Sequence, residues 1–216
     1  MRYALLRGAG NVFLGIAVGI LGYYGITDAV TRGEQRELRS QVPSSMYATV
    51  IEEAGPALDF EGWEQEDAAY WDGLGPGEAF GRLVSPVMEL DSVVVKGVAR
   101  SDLKKGPGWI DYTDLPGPTG NVGISGHRTT YGAPFRQLNL LKPDDTIELF
   151  SPFRRYRYRV RRVFTVTPDK TEVVASTDEP TLTLTACHPL YSARLRLIVQ
   201  ADLVEATRIP RQEGSQ

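Results

Sequence analysis

The sequence predicts an all-β domain of eight strands placed behind one apolar N-terminal helix. Three observations carry that prediction. From about residue 81, apolar or alternating runs recur at 81–84, 87–98, 120–125, 146–150, 155–166, 172–175, 181–187 and 194–203. Turn chemistry separates them, in Lys105-Gly-Pro-Gly108, Leu115-Pro-Gly-Pro118, Lys142-Pro-Asp-Asp145 and Thr167-Pro-Asp-Lys170; Gly, Pro and Asp there favour chain reversal over continued pairing. Helical pattern in this region is confined to 101–105 and 134–141. Eight short strands with so little helix read as a closed barrel or a sandwich.

The third observation lies at the N-terminus. Residues 8–26 carry no charge and are rich in Leu, Ile, Val and Gly, and a helix of about 20 such residues spans the hydrocarbon layer. Arg2 and Arg7 precede it, which places the N-terminus in the cytoplasm and the rest of the chain outside. A cleaved signal peptide is the rival. The apolar run is longer than a signal peptide's, which favours a retained anchor over residues 1–27. Gly15 and Gly19 have the spacing of a helix-pairing face, a weak signal because glycine is common in such helices.

Charge divides the remainder. The chain of 216 residues has net charge −3, yet residues 51–80 hold nine acids and no Lys or Arg, leaving 24 basic against 18 acidic residues elsewhere. Residues 28–80 are therefore expected to form an acidic extracellular stalk, with helical stretches around 28–42 and 45–54. Trp63, Tyr70 and Trp71 within it are expected to pack on the domain, the tendency of large aromatics; a lid over the active groove is the sharper alternative. The domain then runs over 81–208, with a flexible tail at 209–216.

Cys187 is the single cysteine, which rules out an internal disulfide. No Cys/His cluster has zinc spacing, so neither a metal nor a cofactor is expected. In the run from Thr181, alternation sends Leu182, Leu184 and Ala186 to one face and Thr183, Thr185 and Cys187 to the other. With the apolar face in the core, the thiol stands on the threonine face. A buried inert cysteine is the plain alternative for this strand alone. His127, in the Gly126-His-Arg-Thr-Thr130 turn after a strand, is the natural partner for a thiol nucleophile. His188 adjoins Cys187 but points to the opposite face of an extended chain, and Pro189 reinforces that geometry. Arg194 and Arg196 share parity on the last strand, and spacing alone leaves both open as the guanidinium that holds an oxyanion. The basic run at 154–162 alternates with Tyr156, Tyr158 and Val160, and a half-buried strand with a solvated basic face explains it without nucleic acid.

Three segments together resemble the sortases, most closely the class E sortases of actinobacteria: Gly126-His-Arg-Thr-Thr-Tyr-Gly-Ala-Pro-Phe135, Thr183-Leu-Thr-Ala-Cys187, and Cys187-His-Pro-Leu-Tyr-Ser-Ala-Arg-Leu-Arg-Leu-Ile-Val199. The likeness runs from about residue 81 to 206. It implies a closed eight-stranded sortase barrel and a membrane-bound cysteine transpeptidase, with His127, Cys187 and Arg196 as catalytic residues. It also implies the partners: secreted proteins bearing a C-terminal Leu-Ala/Pro-x-Thr-Gly sorting signal, cleaved between Thr and Gly, and the amine of a peptidoglycan precursor. One departure stands out. The family usually has threonine before the cysteine, whereas this chain has Ala186, which implies altered efficiency or specificity. A thiol peptidase using water, and a non-catalytic wall-binding β-domain, are the competing readings.

Overall fold

The computed structural model describes residues 2–48 and 57–210, with side chains from Gly10 onward. Eight strands form the barrel: β1 (Ala79–Ser85), β2 (Leu90–Lys96), β3 (Gly108–Trp109), β4 (Asn121–Ser125), β5 (Thr146–Phe150), β6 (Arg154–Val166), β7 (Thr181–His188) and β8 (Leu195–Arg208). They close in the order β1-β2-β3-β4-β7-β8-β6-β5, with β5 returning to β1 through pairs such as Leu83–Leu149. Closure removes the unpaired edges that an open sheet would expose. β2 with β3, and β4 with β7, run parallel; the other pairs are antiparallel.

The expected number of strands holds, but one of the eight is different. The run at 172–175 is a 3-10 turn, Thr171–Val174, rather than a strand. Asn121 Nδ2 donates to the carbonyls of Val173 (3.1 Å) and Ala175 (3.0 Å), and Gln200 Nε2 to that of Val173 (2.9 Å). Side chains thus satisfy carbonyls that a ladder would otherwise take. The eighth strand is the two-residue β3, too short to register as a periodic run. It joins β2 to β4 while Trp109 stacks on Phe80 at 4.8 Å between ring centroids.

Elsewhere alternation sets the layers. Leu182, Leu184 and Ala186 of β7 and Tyr156, Tyr158 and Val160 of β6 face the core and are buried. The opposite face of β6 is a ladder of ion pairs: Arg157 with Glu148 and Glu205, Arg155 with Glu205, and Arg161 with Asp202. Carboxylates on the neighbouring strands thus answer the basic run.

Helix α1 (Arg2–Gln41) is continuous. Its segment from Gly10 is long and apolar enough to cross a membrane, and only 6% of that window is buried. The stretch expected as a separate helix at 28–42 is the continuation of this same helix. Tyr24, the adjacent Thr27 and Asp28, Thr31, Gln35 and Leu38, recurring every three or four residues, form its sheltered face. Thr31 Oγ1 donates to Lys104 O (2.7 Å), and Gln35 exchanges hydrogen bonds with Val93 N (2.8 Å) and Val93 O (2.9 Å). Helix and barrel are thereby fastened together. A 3-10 turn follows at Ser44–Tyr47; the remainder of the helix expected at 45–54 lies outside the described residues, as does the tail beyond residue 210.

Residues 57–78 lie against the barrel. Leu58 bridges to Ala206, a π-turn spans Glu64–Ala68, and α2 (Ala69–Asp72) follows. Trp71 is buried, stacks on Phe80 at 5.1 Å, and donates from Nε1 to Phe80 O (2.8 Å). Ala206 is ten residues along β8 from Arg196, roughly 30 Å at the usual strand rise. The aromatics of this segment pack on the barrel core, Trp71 within it and Trp63 and Tyr70 against it, as ordinary burial predicts. Arg154 anchors this segment. Its guanidinium, 0% exposed, pairs with the equally buried Asp67 and with Glu66 (3.2 Å), and donates to the carbonyls of Asp59 (3.0 Å) and Glu61. Ser151 supplies Asp67 with a further hydrogen bond.

Removing one partner leaves the other charge buried and unpaired. Arg154→Met is expected to cost about 3–5 kcal/mol of unfolding free energy. Arg161→Met, whose ion pair with Asp202 is 47% and 43% exposed, should cost below about 1 kcal/mol. Denaturant unfolding of both variants checks the contrast.

Candidate active site

The site is set by strand register. β4 and β7 run parallel from Asn121–Thr181 to Ser125–Thr185, and Gly126 N then donates to Thr185 O (3.1 Å). Two residues beyond the last pair lie His127 on one chain and Cys187 on the other, brought level on adjacent chains. On the far side of β7, Cys187 is the direct antiparallel partner of Arg196 in β8, a position that sets Cβ atoms about 4.5–5.5 Å apart on one face. Positions 127, 187 and 196 thus fall on three neighbouring chains. Cys187 is exposed.

The face they share runs down β4, β7 and β8. At its lower end Thr183 is fully buried beneath the Thr171–Val174 turn, its hydroxyl donating to Asn121 Oδ1 (2.8 Å). Thr185 and Ser125 above are half-buried, and the thiol opens to solvent at the top. Ala186 points the other way, into the core, at 2% exposure. Arg194 is exposed and precedes β8. Arg196 Nη1 is held by the carbonyls of Ala193 (3.1 Å) and Leu195 (3.3 Å).

His127 is fixed by its surroundings. Phe135 N donates to His127 O (2.9 Å), and the Tyr131 ring lies 5.3 Å from the imidazole. Residue 126 has to be glycine: a Cβ there would stand 2.7 Å from the Phe135 ring. Burial draws the His127 pKa below the ordinary imidazole value. The ring is therefore neutral at neutral pH and able to take a proton from a thiol.

Sequence reasoning passed over Arg128. It is 4% exposed, and its guanidinium joins the two strand ends from beneath. Nη1 donates to Cys187 O (3.3 Å) and reaches His188 Nδ1 (3.2 Å), while Nη2 donates to Asn139 Oδ1 (2.6 Å) and Arg136 O (3.3 Å). A guanidinium can only donate, so Nδ1 of His188 is the acceptor and its proton sits on Nε2. His188 is thus engaged on the face opposite the thiol. The clue in the sequence was position: parity turns the residue after His127 inward, where an arginine needs partners.

Above the thiol is a cavity of about 400 Å³ lined by Tyr24, Arg128, Thr129, Cys187 and Tyr191. Tyr24 belongs to α1 and meets Tyr191 edge-on at 6.5 Å. The N-terminal helix therefore forms one wall beside the thiol.

Residues 83–204 match the family profile described as the Sortase domain. The chain belongs to the sortase family. It is 28% identical over 156 residues to sortase SrtE1 of Streptomyces coelicolor and 31% identical over 128 residues to sortase A of Bacillus anthracis, covering 64% and 59% of this chain. Those alignments span only 44% and 60% of the two relatives. The crystal structure of sortase E1 from Streptomyces coelicolor with a tripeptide in its active site superposes with a TM-score of 0.59 at 26% identity, over 67% of this chain and 98% of that one. The class E likeness read from the motifs and the closed barrel both agree with these findings.

Two outcomes follow from the packing around His127. Gly126→Ala should cost about 1–3 kcal/mol, the usual range for overpacking, with the His127 ring resonances displaced in NMR spectra. An NMR titration should place the His127 midpoint below 6.5. Because the unfolded ring binds its proton at higher pH than the folded one, the stability from this group is complete above about pH 6.5 and declines as pH falls through that value. Denaturant unfolding at pH 8 and pH 5.5 should show this difference, and His127→Gln should remove it.

Proposed function

We propose that this sortase is a membrane-anchored cysteine transpeptidase that cuts a C-terminal Leu-Ala/Pro-x-Thr-Gly signal between Thr and Gly and joins the new end to a cell-wall amine. The single observation supporting the assignment of roles is the register that sets His127 and Arg196 on either side of Cys187. The apolar start of α1 and the arginines before it support an anchor with the barrel outside the cell.

In this reading Cys187 transfers its proton to the neutral His127, producing the thiolate that attacks the threonine carbonyl. Arg196, with donors to spare beyond those held by Ala193 and Leu195, stabilises the oxyanion and orients the peptide. His127 returns the proton to the departing glycine nitrogen as the C–N bond breaks, leaving a thioester on Cys187. An incoming amine then forms the new C–N bond and releases the thiolate. The half-open face running from Thr185 to Cys187 suits an extended peptide, whose backbone aligns with the strands. Ala186, being buried on the other face, adds nothing to that surface.

The test is a ligation assay on the full chain with a sorting-signal peptide and an amine acceptor. Cys187→Ala should abolish acyl-adduct formation. His127→Ala and Arg196→Ala should each lower the rate by about 10²–10⁴-fold, while His188→Ala and Arg194→Ala lose far less. Comparable losses in all four would refute these roles, and hydrolysis without ligation would favour a thiol peptidase.

A further inference from the structure

Resting on the transpeptidase reading, we propose that the chamber between α1 and the turn after β4 receives the acceptor as a protonated primary amine, with Asp28 as its counter-charge. This chamber, about 270 Å³, adjoins the cavity over Cys187 and shares Tyr24, Thr129 and Tyr191 with it. Beyond that common wall it is lined by Tyr131 and by Asp28. A carboxylate residue lining one chamber with three tyrosines is the chemistry that recognises an aliphatic ammonium. The chain already makes a related contact, since Lys104 Nζ lies 5.7 Å from the Tyr131 ring centroid.

The chamber is built, not incidental. Tyr131, Gly132 and Ala133 have φ of 52°, 69° and 44°, three successive left-handed residues of which only the glycine adopts that geometry freely. They hold the turn against α1, so that a Cβ on Gly132 would lie 3.3 Å from Thr31 and 3.9 Å from Asp28 Oδ1. The hydrogen bonds of Thr31 and Gln35 keep α1 in place from the other side. Besides Lys104 over the Tyr131 ring, two more cations stand close by. Arg32 pairs with Asp28 at 2.7 Å one helical turn on, the side chains 69% and 45% exposed, a pair weak enough to yield to a ligand. Arg136 lines the rim. Asp28 stands two residues after the uncharged span ends at Ile26, so an amine carried by a membrane-attached donor meets it at the bilayer surface.

The proton balance fits the thioester stage. As the amine nitrogen attacks and the C–S bond breaks, it sheds two protons. One passes through the neutral His127 to the departing Cys187 sulfur, restoring the thiol and neutral imidazole with which the cycle began, and the other goes to solvent. Asp28 binds the ammonium beforehand and takes no part in the bond changes.

The test compares two acceptors on the acylated full-length protein in detergent: N-acetyl-lysine amide, which is cationic near neutral pH, and hydroxylamine, which is largely uncharged there. Asp28→Asn is expected to lower the ratio of lysine-amide to hydroxylamine ligation by about three- to tenfold. Arg32→Gln, which frees the carboxylate, should raise that ratio. Equal effects on both acceptors, or none, would overturn the amine site while leaving the transpeptidase intact. Failure of the unmodified protein to form any acyl adduct on Cys187 would overturn the transpeptidase reading and the amine site with it.

Discussion

Because β4 and β7 run parallel and stay in step through five successive pairs, the residues that leave their upper ends are delivered together. That pairing sets position 127 level with Cys187, and the pairing of β7 with β8 adds Arg196. The turn after β4 carries His127 outward and Arg128 inward, and the end of β7 carries Cys187 outward with its carbonyl turned toward Arg128. A slip of one residue would reverse each side chain and bury the thiol. Arg128, on the chain leaving β4, opposes such a slip by bonding the end of β7 and the segment at Arg136 and Asn139, and the Phe135 ring packs against Gly126. The chemistry is local, but the precision behind it comes from a ladder several residues long.

A second charge centre holds the barrel at the opposite end. Arg154 and Asp67 are both removed from water, a costly arrangement that is tolerated because carbonyls, a serine and a second carboxylate complete their hydrogen bonding. The acidic composition of residues 51–80 thus has a structural use in part: Glu66 and Asp67 answer arginines of the barrel. Buried arginine inside a basic run is hard to read, since Arg154 sits beside Arg155 and Arg157 with no difference in local pattern.

Period-two patterning made most strands legible, together with the face on which Cys187 stands, because alternation is a strictly local property. Motif likeness rather than spacing separated Arg196 from Arg194, and the structure bears out only that Arg196 lies opposite the cysteine while Arg194 falls before the strand. What escaped was non-local. β3 is two residues long and exists because neighbours on both sides need it; the segment at 172–175 has strand-like composition but is captured by Asn121 and Gln200. Arg128 escaped because its partners lie farther along the chain, at 136–139 and 187–188. The join between the apolar span and residues 28–41 escaped for another reason: charge changes abruptly there, whereas helical geometry does not.

That uninterrupted helix has a mechanical consequence. In the membrane-anchored reading proposed above, a rod clamped directly to the barrel leaves little freedom for the catalytic face to tilt or swing, in contrast to a head on a flexible tether. Working distance above the bilayer is then dictated by helix pitch, at 1.5 Å per residue. In that same proposed reading, a substrate protein presents its cleavage site within that narrow band of heights, so the spacing between its signal and the bilayer becomes a selection rule independent of sequence recognition.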